Sequence, residues 1–66
     1  MTTEQQTFDA LLKRLITAKA EIDEIIEEFD NLDHPEIVEV LGTAYNKMRR
    51  ATMLTINAQA RMERAQ

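Results

Sequence analysis

Apolar residues recur along the first half of the chain with the spacing of an α-helix. Successive members lie three and four residues apart, at Phe8, Leu11, Leu15, Ala18, Ile22, Ile25, Phe29 and Leu32. This spacing keeps them on one side of a helix as a heptad stripe, and Leu12, Ile16 and Ile26 make the stripe wider. The pattern predicts a first helix from about residue 4 to about residue 31.

The second half has a different pattern, in which alanines repeat every seven residues. The row consists of Ala44, Ala51, Ala58 and Ala65, and Ile37 continues it backwards. Because small side chains let another helix approach closely, the row predicts a helix–helix contact. The apolar surface covers roughly two-thirds of the circumference, so helix two, from about residue 36 to 64, should be covered on two sides. The residues expected at an interface between copies are Ala44, Ala51, Ala58, Met48, Tyr45 and Ile56.

A turn is predicted at residues 32–35, where the sequence reads Leu-Asp-His-Pro. Pro35 suits the first turn of a helix, since its missing N–H has no partner to lose there. Asp33 with Glu36 resembles a capping box, while Pro35 disfavours helical geometry at His34 and makes His34 the alternative cap. A connection this short makes two striped helices antiparallel neighbours. Residues 1–66 are thus expected to form a single antiparallel two-helix hairpin.

The chain is short for a structure that depends on its own core. It has 66 residues and no cysteine, and chains of this size usually need disulfides, a metal or a partner. We expect the extra burial to come from other copies of the chain. The predicted fold class is therefore all-α, an antiparallel two-helix hairpin that assembles into a homo-oligomeric helical bundle. Gly42, the sole glycine, marks either a bend in helix two or a close approach of another backbone.

Charge is distributed unevenly around a net value of −4. Residues 21–40 hold nine acidic residues and no lysine or arginine, whereas residues 41–66 hold five basic residues and one acid. Net negative charge argues against indiscriminate binding to nucleic acid or anionic membranes. The longest uncharged run, residues 51–60, is too short and too polar to span a bilayer. Since no secretory signal pattern is visible and cysteine is absent, a cytoplasmic location is expected.

The usual catalytic groups are sparse. The chain has no serine and no cysteine, which removes the commonest nucleophiles. His34 stands near Asp33 and Glu36, where a turn histidine beside a helix cap is expected more than a general base. The sequence contains neither a Glu-x-x-His pair nor a glycine-rich phosphate loop. We therefore expect no enzymatic activity, no metal and no cofactor.

Basic and amide side chains follow the outer face of helix two. Asn46, Arg50, Asn57, Arg61 and Arg64 fall on one arc opposite the apolar surface. Arginine binds phosphate through its charge and its planar guanidinium fork, and the candidate ligand-binding residues are Arg50, Asn57, Arg61 and Arg64, with Lys47. The alternative is a basic surface that keeps the helix hydrated and complements the dipole at its C-terminus.

Part of helix two also resembles a known family. The likeness lies in AYNKMRRATMLTINAQAR, at Ala44, Lys47, Met48, Ala51, Met53, Ala58, Ala60 and Arg61, with Pro35 where the family opens its helix. This segment resembles the hairpin domain of phage sponges that sequester cyclic-nucleotide immune signals, a domain shared by anti-CBASS and anti-Thoeris proteins. The resemblance covers under a third of the chain. It implies a helical oligomer, often a hexamer, that binds nucleotides between protomers, with Arg61 as a ligand contact.

A second likeness is one of architecture. Length, acidic charge and the Asn-Leu-Asp turn resemble the Rop-type copy-control proteins of plasmids, which are dimeric four-helix bundles that bind paired RNA loops. The expected function is thus that of a non-enzymatic binding protein, with a phage sponge for cyclic nucleotides as the leading hypothesis. The alternatives are a Rop-like dimeric RNA-binding protein and a small protein–protein inhibitor or scaffold. Expected partners are other copies of the chain and, under these hypotheses, a small anionic nucleotide, a specific RNA or a host protein.

Overall fold

The computed structural model describes residues 3–64, which form two α-helices and no strand. Helix α1 spans Thr3–Asn31 and helix α2 spans Pro35–Arg64, so the predicted all-α class is confirmed. Helices of 29 and 30 residues are each about 45 Å long. The Cα atoms extend over 50 × 15 × 10 Å, and the helices contact each other. They therefore lie side by side. Ala65 of the alanine row lies outside the described residues.

The connection between the helices is a tight hydrogen-bonded turn. The Asp33 N–H donates to the Asp30 carbonyl at 3.1 Å, and the His34 N–H donates to the Phe29 carbonyl at 3.1 Å. Asp33 has a φ of 63°, in the left-handed region. These two bonds and the positive φ define a Schellman motif, in which the left-handed residue is usually glycine. Helix α1 thus ends through its own backbone, with an aspartate in the glycine position.

Helix α2 begins directly after this motif. The Val38 N–H donates to the His34 carbonyl at 3.1 Å, which makes His34 the residue that precedes the first helical turn. Of the two caps that the sequence left open, His34 is therefore the one used by the backbone. The His34 ring also meets the Phe29 ring edge to face, with centroids 6.3 Å apart. A side-chain contact between these two positions commonly accompanies a Schellman motif.

The side chains least exposed in the single chain form one heptad row on each helix, and we call these the contact rows. On α1 the row is Gln5, Phe8, Leu12, Leu15, Lys19, Ile22, Ile26 and Phe29. On α2 it is Val38, Leu41, Tyr45, Met48, Thr52, Thr55, Gln59 and Met62. Both rows alternate steps of three and four residues, which is the spacing of helices that pack along their length.

The contact rows do not produce an apolar core. Among residues 3–64 the buried side chains are Gln5 and Thr52, at 4% and 5% exposure, and no hydrophobic side chain is buried. The Thr52 hydroxyl donates to the Met48 carbonyl at 2.9 Å, and the Thr55 hydroxyl donates to the Ala51 carbonyl at 2.8 Å. The threonine hydroxyls thus bond to their own helix, and the apolar residues around them remain partly open to water.

Only part of the wide apolar stripe of α1 belongs to the contact row. Leu12 and Ile26, expected only to widen the stripe, belong to the contact row, whereas Leu11, Ile25 and Leu32 are exposed. The physical reason is that one neighbouring helix covers only one side of a stripe this wide. The other side of the stripe has no cover in the single chain.

Candidate functional site

The exposed apolar side chains are the main unexplained feature of the surface. In the described part of the chain they are Leu11, Ile16, Ile25, Leu32, Ile37, Val40, Met53, Leu54 and Ile56. Two are as exposed as ordinary polar residues, Val40 at 70% and Leu32 at 67%. Scattered apolar residues on a surface are normal, but a contiguous group of large ones indicates a binding surface. Whether the nine residues form such a binding surface therefore depends on their positions on the two helices.

Six of the nine flank the contact row of their own helix, three on α1 and three on α2. On α1, Leu11, Ile25 and Leu32 fall in a row with Ala18 at steps of seven. On α2, Ile37 falls in the alanine row with Ala44, Ala51 and Ala58, and Val40 and Leu54 lie next to that row. We call these ten residues the apolar face. Ile16, Met53 and Ile56 lie on the opposite flank, among charged and polar residues.

Shallow grooves run along the apolar face. One on α1 is lined by Leu11, Arg14, Leu15 and Ala18, and one on α2 by Glu36, Ile37, Val40 and Leu41. Grooves between ridges of side chains are what a second helix packs into. The face thus has the relief as well as the composition of a helix-packing surface.

The residues expected at an interface between copies have different environments. Ala44, Ala51 and Ala58 are half-buried in the alanine row of the apolar face. Tyr45 and Met48 are half-buried in the contact row of α2, and Ile56 is exposed on the opposite flank. The structure therefore brings the three alanines onto one surface, and it does not bring Ile56 to that surface.

The candidate ligand-binding residues form what we call the basic stripe: Lys47, Arg50, Asn57, Arg61 and Arg64. All five side chains are exposed. Arg50, Asn57 and Arg64 follow one another at steps of seven, and Lys47 and Arg61 lie beside them. Asn57, Arg61 and Arg64 are three or four residues apart and so are neighbours on the helix surface. They form the densest part of the basic stripe.

No acidic partner neutralises the basic stripe within residues 3–64. The single ion pair of this region is on α1, between Lys13 Nζ and Asp9 Oδ2 at 3.2 Å. Arginines without a carboxylate partner keep all their N–H donors available for an anion. The stripe lies on the convex outer side of one helix, however, so a small ligand would need a second surface to be enclosed.

Three further features of the described residues concern the turn histidine, metal binding and membrane crossing. His34 is exposed in the turn, and its ring contacts Phe29. Within residues 3–64, no three histidine or acidic side chains are grouped in a way that would hold a metal ion. In the same region, neither helix combines the length and apolar character needed to cross a membrane.

Sequence reasoning missed three residues that the structure makes prominent. Thr52 is the most buried residue of α2, and Val40 and Leu54 extend the apolar face. A signal was present for Thr52, because it continues the seven-residue repeat of Val38 and Tyr45. Val40 and Leu54 share their helical position with Lys47 and Arg61, so a pattern based on polarity assigns that position to solvent.

Comparison of the chain with known protein families, with curated proteins and with solved structures gave no match.

Proposed function

We propose that the chain is a non-enzymatic binding protein of the cytoplasm whose hairpin associates with copies of itself through the apolar face. The observation that carries this proposal is the absence of any buried hydrophobic side chain in residues 3–64 while nine large ones are exposed. Burying apolar surface is the dominant favourable term in folding. A hairpin that leaves this surface in water obtains the missing term by association.

The area of the chain supports association of ordinary size. It exposes 5283 Å², whereas a compact monomer of 7.6 kDa exposes about 4,300 Å². The surplus of about 1,000 Å² resembles the roughly 800 Å² that each partner buries in a standard interface. One apolar face per chain is therefore enough surface for a stable contact between two copies.

The proposal includes an antiparallel hairpin, which places both flanking rows on the same side. Antiparallel helices that pack through heptad rows bring their equivalent flanks together. Leu32 then lies near Ile37, Ile25 near Ala44, and Leu11 near Ala58. Large residues of α1 alternate with small residues of α2, so the face has ridges and a groove that a second copy can fill.

The basic stripe is the proposed ligand site of the assembled protein. It offers unpaired guanidinium groups, which suit phosphate oxygens, and assembly supplies the second surface that a single convex helix lacks. The resemblance of α2 to the sponge domain makes small cyclic nucleotides the ligand class that we propose. Arg61 ranks first, because it belongs both to the densest part of the stripe and to the resembling segment.

Association is tested by urea unfolding at two protein concentrations. A homo-oligomer gains stability by mass action, so its midpoint should rise as the concentration is increased a hundredfold. An unchanged midpoint would show that the lone hairpin is the stable form, and it would overturn the proposal.

Ligand binding is tested by calorimetric titration with cyclic di- and trinucleotides and cyclic ADP-ribose isomers. A hydrogen bond to a charged group contributes about 1.5–3 kcal/mol, so Arg61→Ala should weaken binding by about tenfold or more. Arg61→Lys should restore only part of it, because lysine lacks the planar fork. Arg49→Ala is the matched control, since Arg49 is also exposed on α2 but lies outside the stripe.

Three results would count against the nucleotide site. Failure of every nucleotide to bind at high micromolar concentration would remove the sponge function. Binding of a short paired RNA instead would favour the RNA-binding alternative. An equal loss for Arg49→Ala and Arg61→Ala would show that charge alone attracts the ligand and that the stripe has no specific role.

A further inference from the structure

We propose that two hairpins associate in antiparallel fashion, with the turn end of each copy against the open end of the other. This inference rests on the proposed self-association through the apolar face and adds the orientation of the copies. The observation behind it is the separation of charge along the hairpin. The partner that fits the face is thus a second copy of the chain, turned end over end.

The charge separation is nearly complete. Residues 21–40, on both sides of the turn, carry nine acidic residues and no basic one. All eight basic residues lie in the remainder, with three acidic ones, in the middle of the helices and towards their ends remote from the turn. The turn end thus carries a charge of −9 and the rest of the chain +5, which together make the net −4.

The charges nearest the apolar face follow the same division. Glu21 and Glu28 border the exposed row of α1, each within three or four residues of its apolar members, and both are exposed. Arg14 borders the same row nearer the open end, and Arg61 borders the alanine row of α2. A second hairpin on this face therefore meets an acidic rim at one end and a basic rim at the other.

Only one orientation matches these rims. If the turns lay together, Glu28 and its acidic neighbours would face the acidic turn end of the partner, and charges closer than the screening length of about 8–10 Å repel one another. If the second copy is reversed, acidic and basic rims meet at both ends. Each exposed ion pair contributes little to stability. The choice between the two orientations depends on the sum of all these charge interactions, and repulsion between like charges disfavours the orientation with the turns together.

The test uses spin labels, which attach specifically because the chain has no cysteine of its own. Asn31→Cys labels the turn end and Thr17→Cys labels the middle of the rod; both side chains are exposed and lie away from the apolar face. The two positions are 14 residues apart along α1. At 1.5 Å per residue, a reversed dimer separates the two Asn31 labels by about 40 Å along the rod. The Thr17 labels should be close together in either orientation.

Dipolar distance measurement on each labelled protein then separates the possibilities. A distance of about 40 Å or more at Asn31 with a short distance at Thr17 is the expected result. Short distances at both positions would show that the turns lie together, which overturns the orientation and leaves self-association standing. Both labelled proteins could fail to give a distance, and the unlabelled protein could show no association at the same concentration. That result would overturn self-association and this inference together.

Discussion

Asp33 adopts a left-handed backbone conformation with a φ of 63°, at the position of the Schellman motif that glycine normally occupies. Left-handed backbone costs most L-residues about 1–2 kcal/mol, and aspartate less. Glycine has no Cβ and adopts this conformation readily. Asp33→Gly should therefore raise the free energy of unfolding by about 0.5–1 kcal/mol, as measured by urea unfolding at fixed protein concentration.

Two variants show whether the gain at Asp33 comes from the backbone. Asp33→Asn removes the charge near the helix end and leaves a side chain that tolerates the same φ. Asp30→Gly makes the same change inside α1 and should lose about 1 kcal/mol. A destabilised Asp33→Gly protein would mean that this residue does not hold the left-handed conformation in solution.

Gly42 differs from Asp33, because it is a glycine within a helix and no other atom crowds it. A Cβ built at this position meets no atom within 4 Å. Gly42→Ala should therefore stabilise α2 by about 0.8–1 kcal/mol through helix propensity, again in urea unfolding. Gly42 lies on the flank opposite the apolar face, so the gain should persist in the assembled protein. A loss of stability would place another backbone on this flank and move the interface there.

At the scale of single elements, the alanine row of α2 tests the packing of the apolar face. Ala51→Leu adds bulk where we expect another helix to lie close, and such overpacking typically costs about 1–3 kcal/mol. The matched control is Ala60→Leu, the same change at an exposed position of the same helix outside the face. Urea unfolding at equal concentrations should show the loss only for Ala51→Leu. A neutral or stabilised Ala51→Leu protein would mean that the row faces solvent.

The existence of both helices could be predicted from the sequence, but the division of their surfaces could not. Heptad spacing and Pro35 locate two helices and a turn. The stripe of α1, however, supports two choices around the shared row of Phe8, Leu15, Ile22 and Phe29. Leu12 and Ile26 flank that row on one side, and Leu11 and Ile25 on the other. Both flanks are apolar, so periodicity alone does not decide which one the other helix covers.

The turn shows a similar limit. Asp33 and Glu36 have capping-box spacing, yet the backbone bonds end α1 at Asp33 and start α2 from the His34 carbonyl. A sequence pattern reports which side chains could cap a helix. It does not show that the preceding helix will end in a left-handed conformation at the same residue. Here Asp33 ends α1 in that conformation, and the backbone of α2 starts from His34.

At the scale of the whole molecule, these features describe a rod that we propose is completed by a second copy. Its contact rows leave no hydrophobic side chain buried in the described region, its apolar face is open, and its charge is divided between its ends. A second copy would cover the face and neutralise both rims. Of the basic stripe, Arg50, Asn57 and Arg64 lie on the outer side of α2 and would remain accessible to a ligand, whereas Lys47 and Arg61 would lie at the edge of the contact.

Self-association can be measured by sedimentation velocity across a dilution series. The measurement compares wild type with Leu11→Lys and Ile16→Lys, a pair chosen because the two side chains are equally exposed in the single chain, at 46% and 48%. They lie on opposite flanks of α1: Leu11 lies on the apolar face, and Ile16 does not. Because the same charge is introduced at similar exposure, any difference in association reports the face.

Wild type and Ile16→Lys should sediment with at least about twice the 7.6 kDa mass of the chain at micromolar concentration. Leu11→Lys should dissociate at concentrations where the other two remain associated, because the charge of the lysine would have to be taken out of water within an apolar contact. Wild-type protein that stays helical at the mass of one chain throughout the series would contradict the account.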